Sequence, residues 1–196
     1  MAKKPSRNEI WQTLAGEMGG VLVKNRRGKP KGVQFEAGSW QVLLDSYTQS
    51  NGDSGQTYTR VRAIFRAKDD LRFRIYRKSI FSGLGKALGM EDLEVGMPPL
   101  DEAYIVQSNS IGKVQSLLIR NEIAGPLITL NSGKLHLRKF RKRGLRESGW
   151  MEVAYETAAK RDLEQTRLMV KLVDASIKHL GRIGTAASDP VPVAVL

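Results

Sequence analysis

Thr57-Tyr58-Thr59-Arg60-Val61-Arg62-Ala63-Ile64-Phe65-Arg66, followed after Ala67-Lys68-Asp69-Asp70 by Leu71-Arg72-Phe73-Arg74-Ile75-Tyr76-Arg77-Lys78, contains the clearest residue-by-residue alternation in the chain. A period of two is the signature of a strand with one buried and one open face. In the second stretch Leu71, Phe73 and Ile75 face a core, and Arg72, Arg74 and Tyr76 face outward. The same rule turns Tyr58, Arg60 and Arg62 outward from the first. Read as an antiparallel pair across the tight polar connection 67–70, the two strands set four arginines on one face. Like charges opposite one another on a sheet cost some tenths of a kcal/mol each. Two explanations stand side by side: neutralisation from within by Asp45, Asp53 or the acidic segment 91–102, and an anion bound on the face.

Outward from this pair, the remaining pattern predicts an α+β protein. Ser6 or Asn8 caps a short helix through Met18, with Ile10, Trp11 and Leu14 on one side and Gly19-Gly20 at its end. Val21 to Val23 reads as a strand, Lys24 to Lys31 as a basic loop, and Val33 to Phe35 and Trp40 to Thr48 as strands flanking a hairpin at 36–39. The run Gln49 to Gln56 reads as a mobile loop. A helix is expected over Ser79 to Gly89 and an acidic connection over Asp92 to Pro99. Then come strand Ala103 to Ser108, helix Ser110 to Ala124 with Ile111, Val114, Leu117 and Leu118 inward, and strand Lys134 to Phe140. Trp150 to Thr157 alternates again, with Met151, Val153 and Tyr155 on one side and Glu152 and Glu156 on the other. From Ala158 to Leu180 the period is helical, with Gly181 as its stop. The expected architecture is an antiparallel sheet of six or more strands covered by helices, with a long C-terminal helix. Residues 1–181 form one domain in this reading, divisible into sub-lobes 1–97 and 98–181, and 182–196 form a disordered tail.

Charge singles out the first two thirds of the chain. Its 32 Lys and Arg against 20 Asp and Glu leave a net charge of +12 over 196 residues. Residues 1–90 carry 17 basic and 7 acidic residues, 91–102 carry only 5 acids, 103–149 carry 9 basic and 2 acidic, and 150–196 balance at 6 and 6. Such a surface attracts nucleic acid, anionic lipid headgroups or an acidic protein. The absence of cysteine excludes disulfides, iron–sulfur clusters and thiolate zinc sites. The basic amino terminus meets Asn8 and Glu9 rather than an apolar run, and no transmembrane segment is readable, which gives a cytoplasmic expectation.

The blocks Tyr58-Thr59-Arg60-Val61-Arg62-Ala63, Phe73-Arg74-Ile75-Tyr76-Arg77-Lys78, Phe81-Ser82-Gly83-Leu84-Gly85-Lys86, Gly89-Met90-Glu91-Asp92-Leu93-Glu94-Val95-Gly96 and Lys113-Val114-Gln115-Ser116-Leu117-Leu118 occur here in succession. Over roughly residues 10–180 the chain resembles a family of uncharacterised bacterial proteins with these blocks. It departs at Leu100, where an aromatic residue usually precedes Asp101. The resemblance implies a bacterial, intracellular α+β protein and brings no activity with it.

Motif chemistry is sparse. Gly83-x-Gly85-x-x-x-Gly89 sits between a strand and a helix, but Ile80 stands where a P-loop needs its first glycine and Ala87 where it needs a hydroxyl. The antiparallel surroundings also disfavour a dinucleotide site. His136 and His179 are the only histidines. Glu91, Asp92, Glu94, Asp101 and Glu102 match no calcium loop, and no Gly-x-Ser-x-Gly elbow exists. No cofactor or metal is expected. Arg138-Lys139-Phe140-Arg141-Lys142-Arg143 is the densest basic run and contains one aromatic residue.

The reading is therefore of a non-enzymatic binding or scaffold domain that engages a polyanion, either nucleic acid or an anionic membrane surface. Its contacts are Arg60, Arg62, Arg72, Arg74, Arg138, Lys139, Arg141, Lys142 and Arg143. The alternatives are an interaction or structural subunit with an acidic protein partner, and an enzyme working through paired carboxylates in a cleft.

Overall fold

The computed structural model describes residues 4–52, 54–78, 91–140, 149–159 and 162–189. The expected helix over 79–89 and the residues 141–143 lie outside them. Nine strands are described: β1 (Val21–Lys24), β2 (Pro30–Ala37), β3 (Trp40–Asn51), β4 (Ser54–Arg66), β5 (Phe73–Arg77), β6 (Glu91–Leu93), β7 (Tyr104–Ser108), β8 (Lys134–Lys139) and β9 (Trp150–Ala158). Five helices accompany them: α1 (Arg7–Glu17), α2 (Pro98–Ala103), α3 (Ile111–Leu118), α4 (Asn121–Leu130) and α5 (Leu163–Arg182). The strands form one antiparallel sheet in the order β1-β2-β3-β4-β9-β8-β5-β7-β6. The fold is α+β, with a long C-terminal helix.

Local sequence explains the helix ends. Ser6 and Glu9 form a reciprocal capping box at α1, and the Asp162 carboxylate accepts the Gln165 N–H at the start of α5. Over its 20 residues α5 buries Met169, Val170, Leu172, Val173, Ile177 and Leu180. That stripe shares one core with Val42 and Leu44 of β3, Val61, Ala63 and Phe65 of β4, and Val153 and Tyr155 of β9. Ile10, Trp11 and Leu14 of α1 and Val114, Leu117 and Leu118 of α3 join it. The helices thus cover the face predicted to be apolar, and the arginine face is turned away from them.

The hairpin of β4 and β5 does not exist. Residues 67–70 are held sideways: Ala67 bridges to Ala186, the Lys68 N–H donates to the Thr185 carbonyl, and Asp69 accepts from Lys113 and Thr185. β5 is carried away from β4, and β9 and β8 fill the gap. Two strands from the second half therefore lie between strands of the first, which removes the division into sub-lobes at residue 97.

Other expectations change for equally local reasons. The supposed loop 49–56 is a hairpin end, with β3 running to Asn51 and β4 resuming at Ser54; paired backbone groups let a polar run be strand. The helix expected over 110–124 is interrupted at Arg120, which has extended backbone, and Ile111 is 42% exposed rather than inward. Residues 183–189 are not a free tail. Thr185, Ala186 and Ala187 are buried, and the Trp40 indole N–H donates to the Ala187 carbonyl at 2.8 Å. Asp101 does not lie across the arginines, because its carboxylate accepts the backbone N–H groups of Val95 and Met97.

Gly133, at the entry to β8, has φ +77°, and a Cβ there would lie 2.4 Å from the Glu156 carbonyl oxygen. Both features require glycine. Gly133→Ala is expected to lower stability by about 2 kcal/mol, read as a shift of the denaturant midpoint; an unchanged midpoint would show that this turn is not close-packed.

Candidate functional site

The open face of the sheet is a row of charges ordered by strand register. Asp45 of β3 stands opposite Arg60 of β4, and Arg60 stands opposite Glu156 of β9. Across β9, Glu156 pairs with Lys134 and Glu152 with Arg138 of β8, while His136 faces Ala154. Beyond β8, Arg74 of β5 faces His136. Period two along each strand places all these side chains on one face.

Arg60 binds Asp45 in a two-point fork, Nε to Oδ1 at 2.9 Å and Nη2 to Oδ2 at 2.8 Å. Arg62 bridges Asp45 at 3.3 Å and Glu152 at 3.2 Å. Arg138 closes on the other Glu152 oxygen at 3.1 Å. Glu156 receives Lys134 at 2.8 Å and the Tyr47 hydroxyl at 2.7 Å. Tyr47 in turn stacks on Tyr58, with centroids 5.3 Å apart, and lies under the Arg60 guanidinium. Arg60 and Arg62 are thus neutralised from within. Asp45 was readable as a source of that charge; Glu152 was not, because its partners depend on β9 lying beside β4.

Arg72 and Arg74 are different. Neither has a carboxylate partner among the described residues. The backbone of Arg72 is fixed where β5 meets β7: its N–H donates to Asn109 Oδ1 at 2.7 Å, and its carbonyl accepts from the Ser108 hydroxyl at 2.9 Å. Both arginines share the sheet face of Arg60 and Arg62, as the alternation predicts, but two strands separate the pairs. Lys139 falls in phase with Leu135 and Leu137, on the other face from Arg138. Phe140 is not a free stacking surface; it packs on Ile64 and Trp150, beneath the Arg62 guanidinium.

A cleft of about 580 Å³ opens on the open face, lined by Tyr58, Arg74, Tyr76, Lys134, Glu156 and the Ser132–Gly133 turn among others. A smaller hollow of about 70 Å³ shares its Arg74 and Lys134 walls and is lined by Arg72, His136 and Arg138.

His136 is 3% exposed, as are Glu152 and Glu156. Its ring nitrogens lie 3.9 Å from each carboxylate, beyond hydrogen-bonding distance. Burial outweighs their attraction and holds the imidazole below its ordinary 6.5. Burial also acts to raise Glu152, but His136, Arg138, Arg62 and Arg60 hold it at about 2. Glu156 is lowered as well, against its burial, chiefly by Lys134 and Tyr47. Both glutamates are therefore ionised and saturated with cations. A paired-carboxylate enzyme needs one of its acids raised enough to hold a proton, and this pair lacks it.

No family model matches the chain, and no curated protein does. Among solved structures, the crystal structure of the mycobacterial trehalose monomycolate transport factor A, TtfA, is similar over 92% of this chain and 95% of its own, at 12% identity and a TM-score of 0.47. That likeness carries no functional argument. Among the described residues, no helix is long and apolar enough to cross a membrane.

Two predictions separate the halves of the face. Arg62→Met leaves Asp45 and Glu152 partly uncompensated and is expected to cost about 2–4 kcal/mol, whereas Arg74→Ala is expected to change stability by no more than about 0.5 kcal/mol; equal effects in chemical denaturation would contradict the division. For pH, His136 and Glu152 both have folded values below their unfolded ones, so the unfolded state binds more protons and stability falls on acidification. The His136 contribution is lost as pH drops below 6.5 and the Glu152 contribution between 4.5 and about 2. His136→Leu is expected to abolish the first part of the decline and to shrink but not remove the second, since Arg138, Arg62 and Arg60 still hold Glu152 down, measured as denaturation midpoints across pH.

Proposed function

We propose that this chain is a non-enzymatic binding domain that engages a polyanion through the β8–β5 end of its open sheet face. The observation that supports this reading most directly is the unequal pairing of the cations. Among the described side chains, Arg60, Arg62, Arg72, Arg74, Lys134 and Arg138 share the face with three carboxylates, Asp45, Glu152 and Glu156, and the two arginines left without a carboxylate partner stand together at the start of β5. The contacts are Arg72 and Arg74, with Lys134 and Arg138 beside them, whose side chains are 44% and 52% exposed. Arg60 and Arg62 belong to the internal network and act by holding the sheet. Arg141, Lys142 and Arg143 follow β8 closely in sequence and extend the same basic stretch.

An acidic protein would also be attracted here. The polyanion is favoured because guanidinium groups without carboxylate partners among the described side chains suit phosphate oxygens, which accept their forked N–H groups in pairs.

Titration into labelled single-stranded RNA, duplex DNA and anionic vesicles at low and moderate salt tests the reading. Binding is expected to at least one of them and to weaken steeply with salt as counterions are released. For a nucleic acid, the double substitution Arg72→Ala, Arg74→Ala is expected to reduce the slope of log affinity against log salt by about 1.4–1.8, the range for two lost phosphate contacts. Absence of binding to all three at low salt, or an unchanged slope, overturns the proposal. A preference for vesicles assigns the face to a membrane surface.

A further inference from the structure

Beneath Arg74 lies a feature that a diffuse electrostatic surface does not need. His136 is 3% exposed, and neither of its ring nitrogens has a hydrogen-bond partner. An imidazole buried in that condition forgoes at least one hydrogen bond that water would supply, which costs about 1–3 kcal/mol. The ring lines the hollow of about 70 Å³ whose other polar walls are Arg72, Arg74, Lys134 and Arg138. A buried histidine with no hydrogen bond thus lines, together with four cations, a hollow the size of a single small anion.

The geometry points to a specific site for a terminal phosphoryl group, with His136 on its floor and Arg72 and Arg74 as its clamp. The adjoining cleft of about 580 Å³ receives the rest of the molecule. That cleft shares Arg74 and Lys134 with the hollow and is walled by Tyr58 and Tyr76, so the ligand is a phosphomonoester with a planar or apolar body. Glu152 and Glu156 flank the ring from β9 without repelling the anion strongly, because Arg62 and Arg138 already neutralise the first, and Lys134 the second. Their positions also explain how the histidine can answer the ligand. An anion in the hollow favours the imidazolium, adding to the pull of the two carboxylates at 3.9 Å and opposing the burial that keeps the free protein's ring neutral. This inference deepens the polyanion reading and rests on it.

The chain has only two histidines, and the second, His179, lies near Ser116 on the helical side at 3.2 Å. The two ring signals in an NMR pH titration therefore report the site and an internal reference. Inorganic phosphate at matched ionic strength is expected to raise the His136 titration midpoint and leave His179 unmoved, with chloride as the control. A nucleoside 5′-monophosphate and a short-chain phosphatidic acid, compared in the same way, distinguish a nucleotide from a lipid headgroup as the source; either is expected to bind about tenfold or more tighter than phosphate alone. Arg74→Ala, at a position without a carboxylate partner among the described side chains, is expected to weaken binding about tenfold and to suppress the His136 shift. His136→Gln is expected to weaken phosphate binding while leaving salt-dependent polyanion binding largely intact.

A His136 signal that responds no more to phosphate than to chloride overturns the phosphoryl site. If polyanion binding then still falls in the Arg72→Ala, Arg74→Ala protein, the broader reading survives without it. Loss of both overturns both.

Discussion

The placement of β9 between β4 and β8 is the constraint on which the open face depends. It puts Glu152 and Glu156 within reach of Arg62, Arg138 and Lys134, with the small Ala154 between them in register with Arg62 on one side and His136 on the other. Without that strand, the arginines of β4 would have Asp45 alone. With it, a row of side chains that would repel becomes a continuous ion-pair network, and the sheet tolerates cations on both strands that flank β9. Removing one member of such a network leaves the others buried and unbalanced, which is why Arg60 and Arg62, its most enclosed cations, hold the sheet rather than offer themselves to a ligand.

The same arrangement separates two kinds of arginine that look alike in sequence. Arg60 and Arg74 both alternate with apolar residues and both face away from the helices. One is clamped by a carboxylate at 2.8 Å, and the other stands across β8 from the nearest glutamates. Free charge is therefore concentrated at the β5 end, beside the cleft and above His136.

Much of the fold was legible because it rests on local chemistry. Phase along β4, β5 and β9 follows from period two, and the cap of α1 from Ser6 and Glu9. Strand order was not legible, because it is decided by contacts distant in sequence: Ala67 with Ala186, Asp69 with Lys113 and Thr185. The misread pairing of β4 with β5 carried the main error in the site, since it brought together four arginines that lie on strands separated by two others. Arg72 and Arg74 could be named as outward-facing from sequence, but their freedom could not, because it depends on which strands the acids occupy. His136 gave even less signal. A lone histidine on an alternating strand reads as an ordinary polar residue until β9 and β5 are seen on either side of it.

The central claim is that one end of the face is neutralised from within and the other is open to an anion. Diffraction from crystals soaked in selenate, with the selenium located by its anomalous scattering, tests it most directly. The account predicts an anomalous peak within hydrogen-bonding distance of Arg74 and His136, and none beside Arg60 and Arg62. A peak on Arg60 or Arg62, with the β5–β8 hollow empty, would contradict it.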